Sequence, residues 1–106
     1  MAWVYLGIAG LLEIVWAFAM KQSDGFTRLG PSIVTLVAMI GSFVLLSLSM
    51  KSLPLGTAYT IWTGIGAVGA FLVGIMWLGE QANAMRIAAA LLIVGGLLLM
   101  KLSSPA

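Results

Sequence analysis

The chain has 106 residues, 62% of them hydrophobic and 8% charged, with a formal net charge of +2. A soluble domain carries about 25% charged residues, so this composition excludes a water-covered globule and places the chain in a bilayer. Cysteine and histidine are both absent, which removes disulfides, thiol chemistry and the usual zinc ligands. The three acids, Glu13, Asp24 and Glu80, are too thin an inventory for hydrolytic or metal-assisted catalysis, so no enzyme, metal site or cofactor is expected.

A spanning helix needs about 20 apolar residues, and the first such run covers about residues 2–20. It has no charged leading segment and no clean cleavage site, and reads as a retained helix rather than a signal peptide. Glu13 is its only charge. A carboxylate at the centre of a bilayer costs roughly 2.5 kcal/mol or more, and such groups face a bundle interior or a watery cavity, where they handle protons or cations. The plainer use is a structural hydrogen bond to another helix. Helical spacing puts Leu6, Ala9, Gly10, Trp16, Ala17 and Met20 on the face of Glu13. Gly10 is expected to leave open space one turn before the carboxylate. Trp16 lies too deep for an interfacial aromatic belt, and either lines the site or packs.

A polar loop follows from Lys21 to Arg28, with Gly25 as its turn residue. The second span, about 31–50, has Pro31 in its first turn. Ser42 falls mid-span, where its hydroxyl either bonds Glu13 or bonds back to its own helix. Met39 and Phe43 are adaptable apolar side chains near it; they form a lipid-side portal for alkyl groups, or face lipid or a packed neighbour.

The third span, about 54–79, places Tyr59, Trp62, Thr63 and Gly66 on one face. Tyr and Trp combine an apolar body with a donor, and can orient a carboxylate or present π-faces to a cation. Gly64-Ile65-Gly66 reads as a hinge or as static close packing, and Gly66, Ala70 and Gly74 form a small-residue series that lets helices approach. The fourth span, about 84–101, is the shortest, so Arg86 and Lys101 must reach to the interfaces. Gly95-Gly96 on this helix is a candidate dimer contact.

The basic residues Lys21, Arg28, Lys51, Arg86 and Lys101 stand singly beside apolar runs, as helix-end anchors do, and form no nucleic-acid patch. Across four spans they divide two against three between the sides, so the positive-inside rule scarcely selects an orientation. Copies inserted both ways are one outcome; a single weakly favoured orientation is the other. Four short helices can hardly enclose a site alone, and two copies in opposite orientations would supply the inverted symmetry common in transporters. The expected fold is an all-α membrane protein, one four-helix domain over residues 1–106, assembled as an antiparallel homodimer.

At three stretches the chain resembles the small multidrug resistance transporters. These are Gly10-Leu11-Leu12-Glu13-Ile14-Val15-Trp16-Ala17, then Lys21 through Leu29, and Leu53 through Ala67. Trp16 after the glutamate and Trp62-Thr63-Gly64-Ile65-Gly66-Ala67 are similar to the guanidinium-exporting subtype. Asn83-Ala84-Met85 departs from the proline that many members carry in this loop. The resemblance implies a dual-topology dimer in a bacterial inner membrane that exchanges protons for a cation at paired Glu13 carboxylates. Gly10, Trp16, Ser42, Tyr59 and Trp62 would surround that pair, and the fourth helix would be the main dimer element.

Proton and cation would compete for the same carboxylates, and that competition couples the two fluxes. Guanidinium is planar and rich in N–H donors, matching carboxylate geometry as an arginine does. A quaternary ammonium would rely on charge and on the faces of Trp16, Tyr59 and Trp62, and its efflux by the same mechanism is the alternative. A second alternative is an accessory membrane subunit with no transport of its own.

Overall fold

The computed structural model describes residues 1–103, which form four α-helices: α1 (Ala2–Gln22), α2 (Leu29–Ser49), α3 (Leu55–Trp77) and α4 (Ala84–Ser103). All four are long and apolar enough to cross a membrane. At 1.5 Å per residue they reach roughly 30 Å or more, the thickness of a hydrocarbon core.

Local chemistry sets the ends of these helices. After α1, Ser23 is fully buried and organises the turn. Its hydroxyl donates to the Met20 carbonyl at 2.6 Å and accepts the Phe26 N–H at 3.1 Å, while its carbonyl takes the N–H groups of Thr27 and Arg28. Gly25 has φ +72° as a turn glycine should, but Asp24 (φ 51°) and Phe26 (φ 66°) share the left-handed region, so the turn is tighter than one glycine implies. α2 begins at Leu29, two residues earlier than its proline suggests, because Arg28 is already the extended N-cap and Pro31 sits where no helical donor is needed. Pro54 is the N-cap of α3 rather than its first residue.

α3 stops at Trp77, short of the expected 79. Gly79 turns left-handed at φ +69°, and the N–H groups of Leu78 and Glu80 both fold back onto the Gly74 carbonyl. The loop that departs from the proline pattern carries its own solution: the Asn83 side chain accepts the Arg86 N–H at 2.9 Å and caps α4. α4 then runs to Ser103, past the Lys101 expected to end it.

The helices lie side by side in the order α2, α1, α3, α4: α1 packs against α2 and α3, and α4 packs on α3. The result is a slab of 43 × 35 × 16 Å, little thicker than one helix of about 10–12 Å with its side chains. Its accessible surface of 6515 Å² exceeds the roughly 5,700 Å² of a compact monomer of this mass.

Within the slab, packing is uneven. The core consists of Leu6, Ala9, Leu46, Leu53, Ala58, Ile61 and Trp62, with Trp16, Ile65 and Leu97 against it. These residues come from the start of α1, the end of α2, the loop after it and the first half of α3, so the core fills the half nearest the N-terminus. At that end the Lys101 ammonium lies 5.2 Å from the Trp3 ring centre. At the opposite end Arg86 covers Phe71 at 5.4 Å. No residue of α4 is buried within the described chain.

Candidate functional site

Glu13 sits halfway along α1, the helix flanked on both sides by neighbours. Its carboxylate turns toward α3 and packs on Gly66, where a β-carbon would overlap Cδ and Oε1. Glu13 Oε1 is buried and has no hydrogen-bond partner. An unpaired buried oxygen costs about 1–3 kcal/mol, and more when it is charged. A proton, or a hydrogen-bond donor, would satisfy this oxygen.

Three further close approaches knit α1 to its neighbours. A β-carbon on Gly10 would lie 2.6 Å from Ile65 Cγ2, one on Gly69 would overlap Ile14, and one on Gly41 of α2 would come 3.3 Å from Leu12 Cδ1. The space expected beside Gly10 is thus taken up by Ile65, a β-branched knob that fits where no side chain competes.

Ser42 is fully buried, but it bonds neither Glu13 nor its own helix. Its hydroxyl donates to the Ala9 carbonyl of α1 at 2.7 Å and accepts the Trp62 indole N–H of α3 at 2.9 Å. One small hydroxyl thereby joins three helices. The reason is register: Ser42 faces α1 a full turn below Glu13, at the carbonyl that the Glu13 backbone N–H itself reaches in a regular helix.

Trp62, thus fixed, anchors an aromatic cluster. Tyr59 tilts against it with ring centres 5.6 Å apart, and Phe43 meets it edge-on at 5.8 Å. Trp62 is only 7% exposed, whereas Tyr59 is 52% and Phe43 47% exposed, so the cluster presents an open aromatic face. Phe43 therefore packs on one side and is open on the other, and Met39, one turn away on α2, is half-buried. Trp16 abuts the core but leaves its indole N–H buried and without a partner. A donor and an acceptor, Trp16 Nε1 and Glu13 Oε1, are thus both unsatisfied three residues apart on one helix.

Gly64 and Gly66 lie in an unbroken stretch of α3, and both are buried. Gly64 receives Leu97 of α4, as Gly66 receives Glu13. Gly95 and Gly96 have nothing within 4 Å of a would-be β-carbon. Gly96 lines a groove between α4 and α3 with Tyr59, Thr63 and Gly64.

The sequence analysis gave Glu80 no role, yet its carboxylate lies over Gly74 of α3. It also lines a cavity of about 320 Å³ with Lys21 and Arg86. The signal available in the sequence was a lone acid after a glycine at the end of a span.

Comparison with known proteins completes the description. The family model described as Small Multidrug Resistance protein matches residues 1–93. The chain is 59% identical over 104 residues to a protein of Escherichia coli (strain K12) named Guanidinium exporter, covering 98% of this chain and 99% of that one. Proteins of the same name from Yersinia pseudotuberculosis and Citrobacter freundii are 58% and 56% identical over 104 residues. The match covers 98% of this chain in both cases, with 100% and 99% of the relatives.

Proposed function

The chain belongs to the small multidrug resistance protein family and is a multi-pass protein of the inner membrane; from that premise we propose that it exports guanidinium and small substituted guanidinium ions in exchange for protons. The observation that carries this reading is the buried, unpartnered Oε1 of Glu13 in the middle of a membrane-spanning helix. A charge at that depth persists only with compensation. A proton removes the charge; a guanidinium supplies N–H donors in the plane a carboxylate prefers. The two cannot occupy the same oxygens together, so release of one accompanies binding of the other. That the similar proteins are named Guanidinium exporter supports the choice of cation.

The working unit is two copies in opposite orientations. A slab 16 Å thick cannot close around a central carboxylate by itself. A second slab laid across it would cover the exposed part of Glu13 and bring a second Glu13 to the same site. Tyr59 and Trp62 would wall the shared site, and Gly10 and Ser42 would hold its helices in register. The bare surface at Gly95 and Gly96 on α4, where a β-carbon would have nothing within 4 Å, suits helix contact between copies. Gly64 and Gly66 are where α3 would bend as access alternates, because glycine resists bending least. Membrane lipid would meet the pair at Met39 and Phe43, where alkyl groups of larger substrates could protrude.

One observation favours a second substrate class. The open aromatic face of Tyr59, Trp62 and Phe43 suits a quaternary ammonium, which binds through charge and π-faces without donors.

Proton movement driven by guanidinium across proteoliposome membranes tests the proposal, with a tetraalkylammonium in parallel and Glu13→Gln as control. A guanidinium response lost in Glu13→Gln is expected. A response only to tetraalkylammonium selects the second class. Silence with both ions in folded protein rejects coupled export and leaves an accessory role in a larger membrane assembly.

A further inference from the structure

We infer that Glu80 is the counter-charge that lets the exported cation pass Lys21 and Arg86 at the mouth of a vestibule between α1 and α3. This inference rests on the export reading above.

The vestibule is the 320 Å³ cavity, and its lining traces a route. Its inner end is formed by Ile14 and Ala67, each one residue beyond the Glu13–Gly66 contact. Its wall continues along α1 through Ala17 and Phe18, and along α3 through Ala70 and Val73. Its outer end is Lys21, Glu80 and Arg86. From residue 14 to residue 21 the helix rises about 10 Å, a third of the hydrocarbon thickness. The cavity occupies the half of the slab opposite the packed core. Of the cavities that reach Ala67, beside the Glu13–Gly66 contact, this one ends among charged side chains; another, about 490 Å³ between α3 and α4, is lined by Tyr59, Thr63 and Leu97 and carries no charged residue.

Charge decides what passes. Two cations alone at the mouth would repel a third. Two features offset them. The walls are the C-terminal ends of α1 and α3, where the helix dipoles place partial negative charge. The second is Glu80, held in place by its own backbone: its N–H donates to the Gly74 carbonyl at 3.0 Å, and its carboxylate lies against the bare Gly74 backbone. Among the described residues no ion pair joins Glu80 to Lys21 or Arg86, although all three line the same cavity. α3 thus carries a carboxylate on each of two glycines, Glu13 on Gly66 and Glu80 on Gly74, about 12 Å apart along its axis. The first binds; the second lowers the barrier between binding and bulk water. In an antiparallel pair, each side of the membrane would have one such mouth.

The test uses the full chain in proteoliposomes with guanidinium chloride as probe, comparing native protein, Glu80→Gln, Glu80→Asp and the double variant Glu80→Gln/Arg86→Gln. Flux is read at about 0.01 M and about 1 M salt, where charges are screened over roughly 30 Å and 3 Å. Equilibrium guanidinium affinity is read separately from tryptophan fluorescence, since Trp16 and Trp62 lie by the site. Glu80→Gln is expected to slow low-salt flux about fivefold, as for a unit charge several ångströms from the path in a mostly aqueous mouth. Affinity should be unchanged. High salt, the Arg86→Gln substitution and Glu80→Asp should each restore the rate.

Undiminished low-salt flux in Glu80→Gln overturns the inference. So does a loss that survives both high salt and the double variant, which marks Glu80 as merely holding the loop. A proportional fall in affinity overturns it too, by placing Glu80 in the binding site. A native chain that moves no protons in response to guanidinium defeats the export reading itself, and this inference with it.

Discussion

Gly66 of α3 lies against the carboxylate of Glu13 on α1, so close that a β-carbon at 66 would overlap Cδ and Oε1 of the glutamate. Alanine at 66 must displace the acid. Because alanine favours helix over glycine by about 1 kcal/mol, Gly66→Ala should leave helical content intact while guanidinium flux falls. Misplacing a reacting group by about 1 Å can cost on the order of a hundredfold in rate, and a loss of that scale is expected. The shorter acid in Gly66→Ala/Glu13→Asp should recover part of it. Circular dichroism beside proteoliposome flux separates displacement from unfolding.

Ser42 satisfies the Trp62 indole while bonding Ala9. Ser42→Ala strands a buried indole N–H, at a cost of about 1–3 kcal/mol. The midpoint of unfolding in mixed detergent should fall accordingly. In a cycle with Trp62→Phe the two changes should be non-additive by at least about 0.5 kcal/mol. Strict additivity would show that the bond contributes nothing.

Gly64 accommodates Leu97, one of the side chains through which α4 engages α3. Gly64→Ala is an overpacked contact and should destabilise by about 1–3 kcal/mol. Leu97→Ala in the same chain should relieve it. Thermal unfolding of the two single variants and the double variant distinguishes this clash from a general intolerance of α3 to substitution.

Gly95 offers the contrary case, since a β-carbon there would have nothing within 4 Å. Gly95→Leu should leave each chain folded, yet reduce the fraction cross-linked as dimer and abolish flux. An undiminished dimer fraction would remove α4 as the contact between copies.

Spans and charges were legible in the sequence because membrane helices announce themselves by length and hydrophobicity. Glu13 stands out for the same reason: one charge among the first twenty residues is a large signal. Contacts between helices were not legible. Whether Ser42 meets Glu13 or Ala9 depends on a single turn of register between α1 and α2, and hydropathy carries no register. The void expected beside Gly10 failed on the same ground, because the residue that fills it, Ile65, is distant in sequence and looks like any lipid-facing isoleucine. Helix ends drifted by two residues wherever a backbone device decided them, as at Gly79 and Arg28. Glu80 escaped notice because an acid at a span end is ordinary; only its position over Gly74 makes it distinctive.

The order of the helices in the slab also sets a timetable. α1 leaves the ribosome first, but the surface that receives its acid belongs to α3. Gly66 is made roughly fifty residues after Glu13, a delay of several seconds at ~5–20 residues per second. During that interval the glutamate has no seat in its own chain. Until α3 arrives, α2 is the one neighbour of α1 already made. A substitution that delays α3 would then act on the newborn chain before any substrate reaches it.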